Sequence, residues 1–234
     1  MIFDFAANIF YSKSGSDYMK RTCLTIITIC LPLLFCGQAK AEHSGPYVGV
    51  FIGGNILMNS KATDDLGDFS LKFKPALLGS AVAGWDFERG NMVGEGRIEL
   101  EYSRRSNKLD QAKFADSSVS AGGNIKADSL LINFWGVFHD NKIWAPYAGV
   151  GLGAARMEAS SLQVTGQPLA SGSKTVLAYQ LGTGIDFALT KHLNLDLGYR
   201  FFSSVKPKFT ESNGRKLSMD YYSHNVMLGL RYGF

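Results

Sequence analysis

The sequence lacks any long hydrophobic run beyond its first forty residues. After Glu42, no stretch holds the roughly 18 consecutive apolar residues of a transmembrane helix, so a helical membrane protein is excluded for that part of the chain. A strong charge of either sign is missing too, because 24 basic residues face 20 acidic ones and the formal charge is +4. Nucleic-acid-binding surfaces are typically far more basic, and we expect no nucleic-acid partner.

Cysteine is missing from everything after residue 36. Cys23, Cys30 and Cys36 all precede the segment that we interpret as the mature protein. That segment therefore has no disulfide, no thiolate nucleophile and no cysteine ligand for a metal. We expect neither a metal nor a cofactor. A lipid anchor on Cys36 is disfavoured because the bulky Phe35 stands where lipoprotein processing sites have a small residue.

The amino-terminal part has the layout of an export signal. Residues 19–41 combine a basic start at Lys20 with an apolar run and an A-x-A cleavage pattern that ends at Ala41. We interpret this segment as a secretory signal peptide that is cleaved near Ala41. Residues 1–18 precede a more convincing start and are expected to come from an over-extended reading frame, with a long leader as the alternative. Residues 42–234 form the expected barrel domain.

The carboxyl-terminal run from Tyr221 to Phe234 alternates strictly between two kinds of residue. One parity is apolar with aromatic ends, and the other is small or polar. A period of two indicates a strand with different environments on its two faces. A tilted strand crosses the hydrocarbon of a membrane in about 9–11 residues, which this run exceeds. The 26 glycines and 12% aromatic residues also favour a barrel with closely approaching strands.

Seven further segments alternate in the same way, so the sequence predicts eight strands. The seven are expected at 47–56, 73–87, 92–102, 126–138, 143–157, 175–187 and 193–202. Short turns at 88–91, 139–142 and 188–192 alternate with long polar loops at 57–72, 103–125, 158–174 and 203–220. This pattern predicts an all-β fold, an eight-stranded antiparallel up-and-down transmembrane β-barrel with four extracellular loops. A soluble β-barrel or sandwich with the apolar face inside is the alternative.

The second face of the strands predicts a charged interior. An eight-stranded barrel holds little more than its own inward side chains, so an open pore is not expected. Because buried charges must be paired, we expect an interior ion-pair plug of Asp86, Glu95, Arg97, Glu99, Glu101, Asp186, Asp196, Arg200 and Arg231. Arg200 is expected to meet Glu99 or Glu101. The other two arginines are expected to meet the aspartates or Glu95.

Aromatic residues cluster at both ends of the expected strands. Near the short turns these are Trp85, Phe87, Phe138, Trp144 and Phe187, and near the long loops they are Tyr102, Tyr199 and Tyr222. Tyrosine and tryptophan are enriched where a membrane meets water, since their rings are amphipathic. The two groups therefore predict the two aromatic girdles of an outer-membrane barrel.

Four segments resemble the opacity-type surface antigens and related small eight-stranded outer-membrane barrels. They are 45–49 (G-P-Y-V-G), 84–87 (G-W-D-F), 146–153 (P-Y-A-G-V-G-L-G) and 228–234 (L-G-L-R-Y-G-F). The resemblance covers essentially all of residues 42–234. It implies a bacterial outer-membrane location and a structural or adhesive role. It also implies outer-membrane lipid, lipopolysaccharide and a host surface ligand as partners.

The closing segment also resembles the carboxyl-terminal signal that the barrel-assembly machinery reads. The residues that carry this likeness are Gly229, Tyr232 and Phe234. The resemblance therefore implies the assembly machinery as a transient partner. If Phe234 is a recognition signal, its removal is expected to impair assembly more than it impairs the stability of the folded barrel.

Enzymatic activity is an alternative, because some small outer-membrane barrels modify lipid A or cleave proteins. A hydrolase needs a nucleophile, a base and an orienting acid within hydrogen-bond reach. Ser223 and His224 are adjacent, so in a regular strand they point to opposite faces and cannot form such a pair. The His-x-Ser-Asn pattern of the lipid A deacylases is not matched. We expect a non-enzymatic barrel, with a lipid A deacylase or acyltransferase, or a narrow channel, as alternatives.

The expected loops carry more basic than acidic residues. Their charged residues include Lys61, Asp64, Asp65, Arg104, Arg105, Lys108, Lys113, Lys206, Lys208, Arg215 and Lys216. Basic groups at such positions are expected to meet lipopolysaccharide phosphates or a host polyanion, with a merely solvated loop as the alternative. Deletion of residues 104–124 is expected to spare folding and to remove adhesion.

Overall fold

The computed structural model describes residues 44–64, 67–87, 95–114, 117–138, 144–211 and 216–234. Within these ranges the regular structure is β-strand, and no helix is long and apolar enough to cross a membrane. The strands are β1 (Gly45–Leu57), β2 (Ser60–Asp64), β3 (Gly67–Phe73), β4 (Ala76–Asp86), β5 (Gly96–Lys113), β6 (Ser118–Val137), β7 (Trp144–Val164), β8 (Gln167–Ala188), β9 (Leu193–Ser204), β10 (Lys208–Glu211), β11 (Lys216–Met219) and β12 (Tyr221–Gly233).

Eight of these strands close into an antiparallel ring, which we call the base ring. Its order is β1-β4-β5-β6-β7-β8-β9-β12, and β12 returns to pair with β1. At this closure Val50 lies opposite Leu230, and Tyr47 lies opposite Gly233. Each strand of the ring falls on one predicted segment, so the expected eight-stranded antiparallel barrel is confirmed.

The predicted short turns and the predicted leader fall only in part within the described residues. The connection from β8 to β9 is short, as predicted for 188–192. The turns predicted at 88–91 and 139–142 lie outside the described residues, and so does the interpreted leader at 1–41. For those segments the interpretation stays a prediction.

The segments expected to form long polar loops are β-structure instead, so the loop prediction is wrong. The four longest strands, β5 to β8, continue past the base ring, and β2, β3, β10 and β11 pair with them. The order β5-β3-β2-β11-β10-β8-β7-β6 closes a second ring of eight strands, which we call the upper ring. The physical reason is that buried and exposed side chains keep alternating through polar sequence, as they do in β5.

The two rings enclose different interiors. Charged and amide side chains fill the base ring together with two small apolar clusters, whereas the upper ring holds a larger apolar core. Members of that core are buried and come from all parts of the ring, including Ala62, Phe69, Leu71, Leu109, Ala112, Ile125, Met157, Leu162, Ala170, Phe209, Leu217 and Met219. The upper ring is therefore filled by its own side chains, as a small barrel requires.

The outer surface of the base ring is a continuous band of exposed apolar residues. Its members include Val50, Ile52, Leu77, Leu130, Ile132, Phe134, Val150, Leu152, Leu181, Val226 and Leu228. Exposed apolar surface on this scale marks contact with lipid or with another protein. A soluble barrel would place these side chains inside, so the observed arrangement is the inverse of the soluble alternative.

Candidate functional site

A cluster of two arginines and three aspartates lies inside the base ring. Strand pairing places Asp186 opposite Asp196 and Arg97 opposite Asp86, which brings the charges together. Arg97 contacts Asp186 at 2.5 Å and Asp196 at 3.5 Å. Arg231 contacts Asp186 at 2.5 Å, Asp86 at 3.5 Å and Asp196 at 3.6 Å. Arg97 therefore lies within ion-pair distance of two of the aspartates that the sequence placed at this end, and Arg231 of all three.

The two interior glutamates are held mainly by neutral donors, which sequence reasoning missed. Glu99 accepts hydrogen bonds from the Tyr47 hydroxyl at 2.9 Å and the Trp135 indole nitrogen at 3.2 Å. The Asn133 amide donates to Glu99 at 3.0 Å and to Glu101 at 2.8 Å. These donors share the inward parity of their strands, so parity could have placed them inside. Only the register shows that they meet the glutamates.

The pairing of Arg200 differs from the expected one. Arg200 was expected to meet a glutamate, but its guanidinium donates to the Tyr147 hydroxyl at 3.1 Å and stacks over the Trp135 ring at 4.1 Å. Glu95 lies half-buried just before β5, where its backbone carbonyl accepts a hydrogen bond from the Val137 amide at 3.3 Å. Aromatic rings therefore stabilise the Arg200 guanidinium, for which the sequence predicted a carboxylate partner.

Arg105 was placed in an exposed loop, and this prediction is wrong. The residue lies in β5 and is fully buried. Its guanidinium donates to the Ser129 hydroxyl at 2.9 Å and to the Asn225 amide oxygen at 3.4 Å, and it stacks over the Phe202 ring at 4.1 Å. The signal was present in the sequence, because Arg105 shares the parity of Glu101 and continues the inward face of its strand.

The expected girdle and terminal residues lie on or near the outer surface. Trp85, Phe138, Trp144, Tyr102 and Tyr199 are exposed, whereas Phe87, Phe187 and Tyr222 are half-buried. At the carboxyl terminus Tyr232 and Phe234 are exposed and pack edge to face at 5.5 Å, and Gly229 is buried against the Phe51 ring. The assignment of these residues to girdles and to an assembly signal stays a prediction.

The serine and histidine that prompted the enzymatic alternative are on opposite faces of β12. Ser223 is buried inside, whereas His224 points outward. There the His224 ring lies 2.6 Å from the Tyr199 hydroxyl and is tilted against the Phe201 ring at 5.4 Å. In the part of the chain that the structure describes, no group of three or more histidine, cysteine or acidic side chains could hold a metal ion.

The outer face of the upper ring is unevenly charged. One side, formed by β10, β11, β2, β3 and the end of β5, carries exposed lysines, and we call it the lysine wall: Lys61, Lys72, Lys74, Lys108, Lys113, Lys206 and Lys208. Lys74 pairs with Asp110 at 3.4 Å and Lys206 with Asp220 at 3.0 Å. The hydrogen bond and charge of the Asp220 carboxylate raise the pKa of Lys206.

On the side formed by β6 and β7, basic and acidic groups are more evenly mixed. Lys126 pairs with Glu158 at 3.5 Å, and Asp128 pairs with Arg104 of β5 at 3.4 Å. A hydrogen bond from Ser160, assisted by the Lys126 charge, lowers the pKa of Glu158. The excess positive charge of the upper ring therefore lies on the lysine wall.

A family model described as an outer membrane protein β-barrel domain matches residues 26–234 of the chain. The chain belongs to this family. Membership places the protein in the outer membrane, and it makes the apolar band of the base ring the surface that faces lipid. The expected likeness to small outer-membrane barrels is confirmed.

Three known proteins show how far the likeness extends. A putative adhesin of Rickettsia bellii (strain RML369-C) is 25% identical over 230 residues, which cover 90% of this chain and 95% of the relative. Outer membrane protein PagN of Salmonella typhimurium is 22% identical over 173 residues, which cover 67% of this chain and 72% of the relative. The crystal structure of OprG from Pseudomonas aeruginosa has a TM-score of 0.55 and 12% identity, and covers 84% of this chain and 100% of OprG. This last likeness shows the fold alone.

Proposed function

We propose that the protein is a surface adhesin whose binding surface is the upper ring. The observation that carries the proposal is the closure of β2, β3, β10 and β11 with the ends of β5 to β8 into a filled ring beyond the lipid-facing band. A ring with its own apolar core holds its outer side chains in fixed positions. Binding then requires less ordering of side chains and backbone than binding by flexible loops. The names of the rickettsial relatives support an adhesive role.

We also propose that the filled interior acts as a plug and does not conduct. In the base ring the arginine, aspartate and glutamate side chains are hydrogen-bonded across the lumen, and above them the upper ring is packed with apolar residues. An ion that crossed would have to displace paired charges and then enter an apolar core, both at high cost. Purified barrel in a planar bilayer should therefore show no stable open channel, and a steady conductance in the unaltered protein would contradict the plug.

Export and assembly follow the route that the sequence suggests. We propose cleavage of the leader near Ala41, insertion by the barrel-assembly machinery through the terminal segment with Gly229, Tyr232 and Phe234, and girdle contacts with lipid and lipopolysaccharide at both edges of the band. Strand β12 supports this proposal, because it closes the barrel on β1 and leaves Tyr232 and Phe234 exposed at its end. Sequencing of the mature amino terminus tests the cleavage site.

Adhesion is tested by display in a non-adherent Gram-negative host. The full barrel is compared with a shortened barrel that keeps the base ring and replaces residues 58–75, 108–124, 158–173 and 205–220 with short turns. The full barrel should confer attachment to host cells, and the shortened barrel should not. Equal attachment by both would show that the upper ring is not the binding surface.

A second variant keeps the test valid if the shortened barrel does not fold. Residues Thr165 and Gly166 form the exposed turn between β7 and β8, so a small folded tag inserted there leaves both rings paired. Because the tag covers the outer end of the upper ring, attachment should fall. Boiled and unboiled samples of the tagged barrel should still migrate differently in a gel, which shows that the barrel is folded. Full attachment by a folded, tagged barrel would count against the proposal.

A further inference from the structure

A β-bulge in strand β5 turns two neighbouring side chains to the outer face of the upper ring. Relative to β3, the strand has one extra residue, Asp110, between Leu109 and Gln111. The pairing of β5 with β6 is interrupted at the same place. Leu109 and Ala112 are buried, whereas the two residues between them are both half-buried. Bulges re-aim side chains in this way, and they are over-represented beside functional sites.

These two side chains border a small depression between β5 and the start of β6. Its lining consists of Asp110, Gln111, Ser118, Val119 and Ser120, and its volume is about 190 Å³. Sites for drug-sized ligands typically measure about 300–1,000 Å³, so this one has room for a single small ring. Because all of its lining side chains except Val119 are polar, the depression suits a ligand rich in hydrogen-bonding groups.

Backbone contacts fix the walls of the depression. The Thr165 amide, in the turn between β7 and β8, donates to the Ser120 carbonyl at 3.1 Å, and the Phe114 amide donates to the Ser117 carbonyl at 2.8 Å. Thr165 has a φ of 49°, a conformation that is uncommon for residues other than glycine. Such a conformation persists only where the surrounding structure holds it. The depression therefore has a defined shape before any ligand binds.

The charge of the lining disfavours anions and does not call for a cation. Among the described lining residues Asp110 is the one ionised side chain, and its carboxylate contacts the Lys74 ammonium at 3.4 Å. An incoming sulfate, phosphate or carboxylate would be repelled by the negative charge of Asp110. A cationic ligand is not needed to neutralise that charge, because Lys74 already lies within ion-pair distance. A neutral ligand therefore fits the depression best.

The lining offers hydrogen-bond acceptors and donors side by side. The Asp110 carboxylate accepts, whereas the Gln111 amide and the serine hydroxyls both accept and donate. The hydrogen bond from the Ser118 hydroxyl to the Gln111 amide oxygen is long, at 3.5 Å, so a ligand can replace it at little cost. Neighbouring hydroxyl groups on a sugar ring also accept and donate, and a carboxylate is the strongest acceptor for them.

We propose that the depression binds one neutral hexose residue of a glycan. The Asp110 carboxylate accepts hydrogen bonds from neighbouring ring hydroxyls, the Gln111 amide donates and accepts, and the hydroxyls of Ser118 and Ser120 complete the set. Such binding deepens the adhesive function and rests on it, because it makes a sugar of the host-cell surface the group that the upper ring contacts.

The first test is a titration of the isotope-labelled barrel in lipid nanodiscs, followed by NMR of the backbone amides. The ligands are methyl glucoside, methyl galactoside and methyl mannoside. At least one of them should shift the amide signals of Asp110, Gln111, Ser118 and Ser120, with a Kd of about 1 mM, as expected for so small a ligand. If none of the three sugars shifts these signals at about ten times that concentration, the proposal is wrong.

Matched variants decide which groups make the contact. Asp110→Ala and Gln111→Ala should each weaken binding about tenfold, because each removes hydrogen bonds to the ligand. Asp68→Ala removes an exposed acid of β3 and should bind as the unaltered protein does. Lys74→Ala breaks the ion pair but keeps the carboxylate, so it should bind at least as well. Equal weakening in all four variants, or unchanged binding in both lining variants, would exclude the depression as the site.

A bulky residue and an anion probe the shape and the charge of the site. Ser120 has an exposed side chain opposite Gln111, so Ser120→Trp should fill the depression and abolish the shifts. Unchanged binding by a folded Ser120→Trp barrel would contradict the proposed site. Inorganic sulfate should leave the lining amides unshifted, and a larger effect of sulfate than of any sugar would make the depression an anion site. Each variant must migrate differently in a gel before and after boiling, which shows that it is folded.

Attachment assays separate the sugar site from the adhesive function. If the displayed barrel confers attachment, Asp110→Ala/Gln111→Ala should reduce it, and the sugar that binds in the titration should compete with host cells. Equal attachment by this double variant would leave adhesion standing and would refute the host-cell sugar as the contact. If the displayed barrel does not attach at all, adhesion fails, and the titration still decides whether the depression binds a hexose.

Discussion

Replacement of Arg97 by methionine should destabilise the barrel strongly. The guanidinium is almost completely buried and contacts Asp186 at 2.5 Å and Asp196 at 3.5 Å. Methionine keeps much of the volume but removes the charge, which leaves two adjacent carboxylates with Arg231 as their remaining arginine. Removal of one partner from a buried ion pair typically costs about 3–5 kcal/mol. We expect a loss of this size in the free energy of unfolding.

The assay is equilibrium unfolding in urea, with the barrel in lipid vesicles and tryptophan fluorescence as the signal. Asp186→Asn combined with Arg97→Met should cost less than the sum of the single variants by about 1–3 kcal/mol, because the two side chains interact directly. Lys126→Ala, which breaks a solvent-accessible pair with Glu158, serves as the control and should change little. A cost below about 1 kcal/mol for Arg97→Met would refute the view that the interior charges stabilise one another.

Two further substitutions and one deletion test other parts of the structure. Gly229→Val should destabilise the refolded barrel by about 1–3 kcal/mol, because any side chain there meets the Phe51 ring. An unchanged urea midpoint of unfolding would contradict this. Deletion of Phe234 should lower the amount of assembled barrel in cells more than it lowers the stability of refolded protein, and equal losses would make the residue structural. Arg105→Met should change the free energy of unfolding by less than about 1 kcal/mol. The reason is that this buried guanidinium contacts the Ser129 hydroxyl and an aromatic face, and not a carboxylate. A loss as large as that of Arg97→Met would contradict this view.

The base ring could be predicted from the sequence because each of its strands is long and has one apolar face. In β12 the strict alternation from Tyr221 onward gave both the strand and its inward residues, including Arg231. The same parity placed Arg97 and Asp186 inside. It could not show that Arg200 meets Tyr147, because that contact depends on the stagger of strands across the lumen.

The upper ring could not be predicted because its strands carry weak local signals. Strands β10 and β11 have 4 residues each, too few for a period of two to stand out from chance. Their apolar members, such as Phe209 and Leu217, look isolated in polar sequence until pairing brings them into one core. In β5 buried and exposed side chains keep alternating as far as Leu109, but from Ser103 to Lys108 both faces carry polar or charged residues, which is also typical of a loop.

Residues 104–124 include parts of β5 and β6, so their deletion would not simply remove an exposed loop. Removal of residues 104–124 would take away Arg105 and the apolar core residues Leu109 and Ala112, together with most of the upper part of β5. Such a variant would lose the closure of the upper ring, so a loss of adhesion would not identify a contact. Substitutions on the exposed lysines avoid this problem, because they leave the core and the pairing unchanged.

Hydrogen exchange of the backbone amides in lipid tests the central claim most directly, namely that the segment beyond the membrane is a closed and filled ring. Leu71, Ala112, Ile125 and Leu162 lie in paired upper-ring strands and are buried, so their amides should exchange slowly, as those of the base ring do. Gly166 lies in the exposed turn of the same ring and should exchange quickly. Rapid exchange throughout the upper strands, at the rate of that turn, would contradict the account and return these segments to flexible loops.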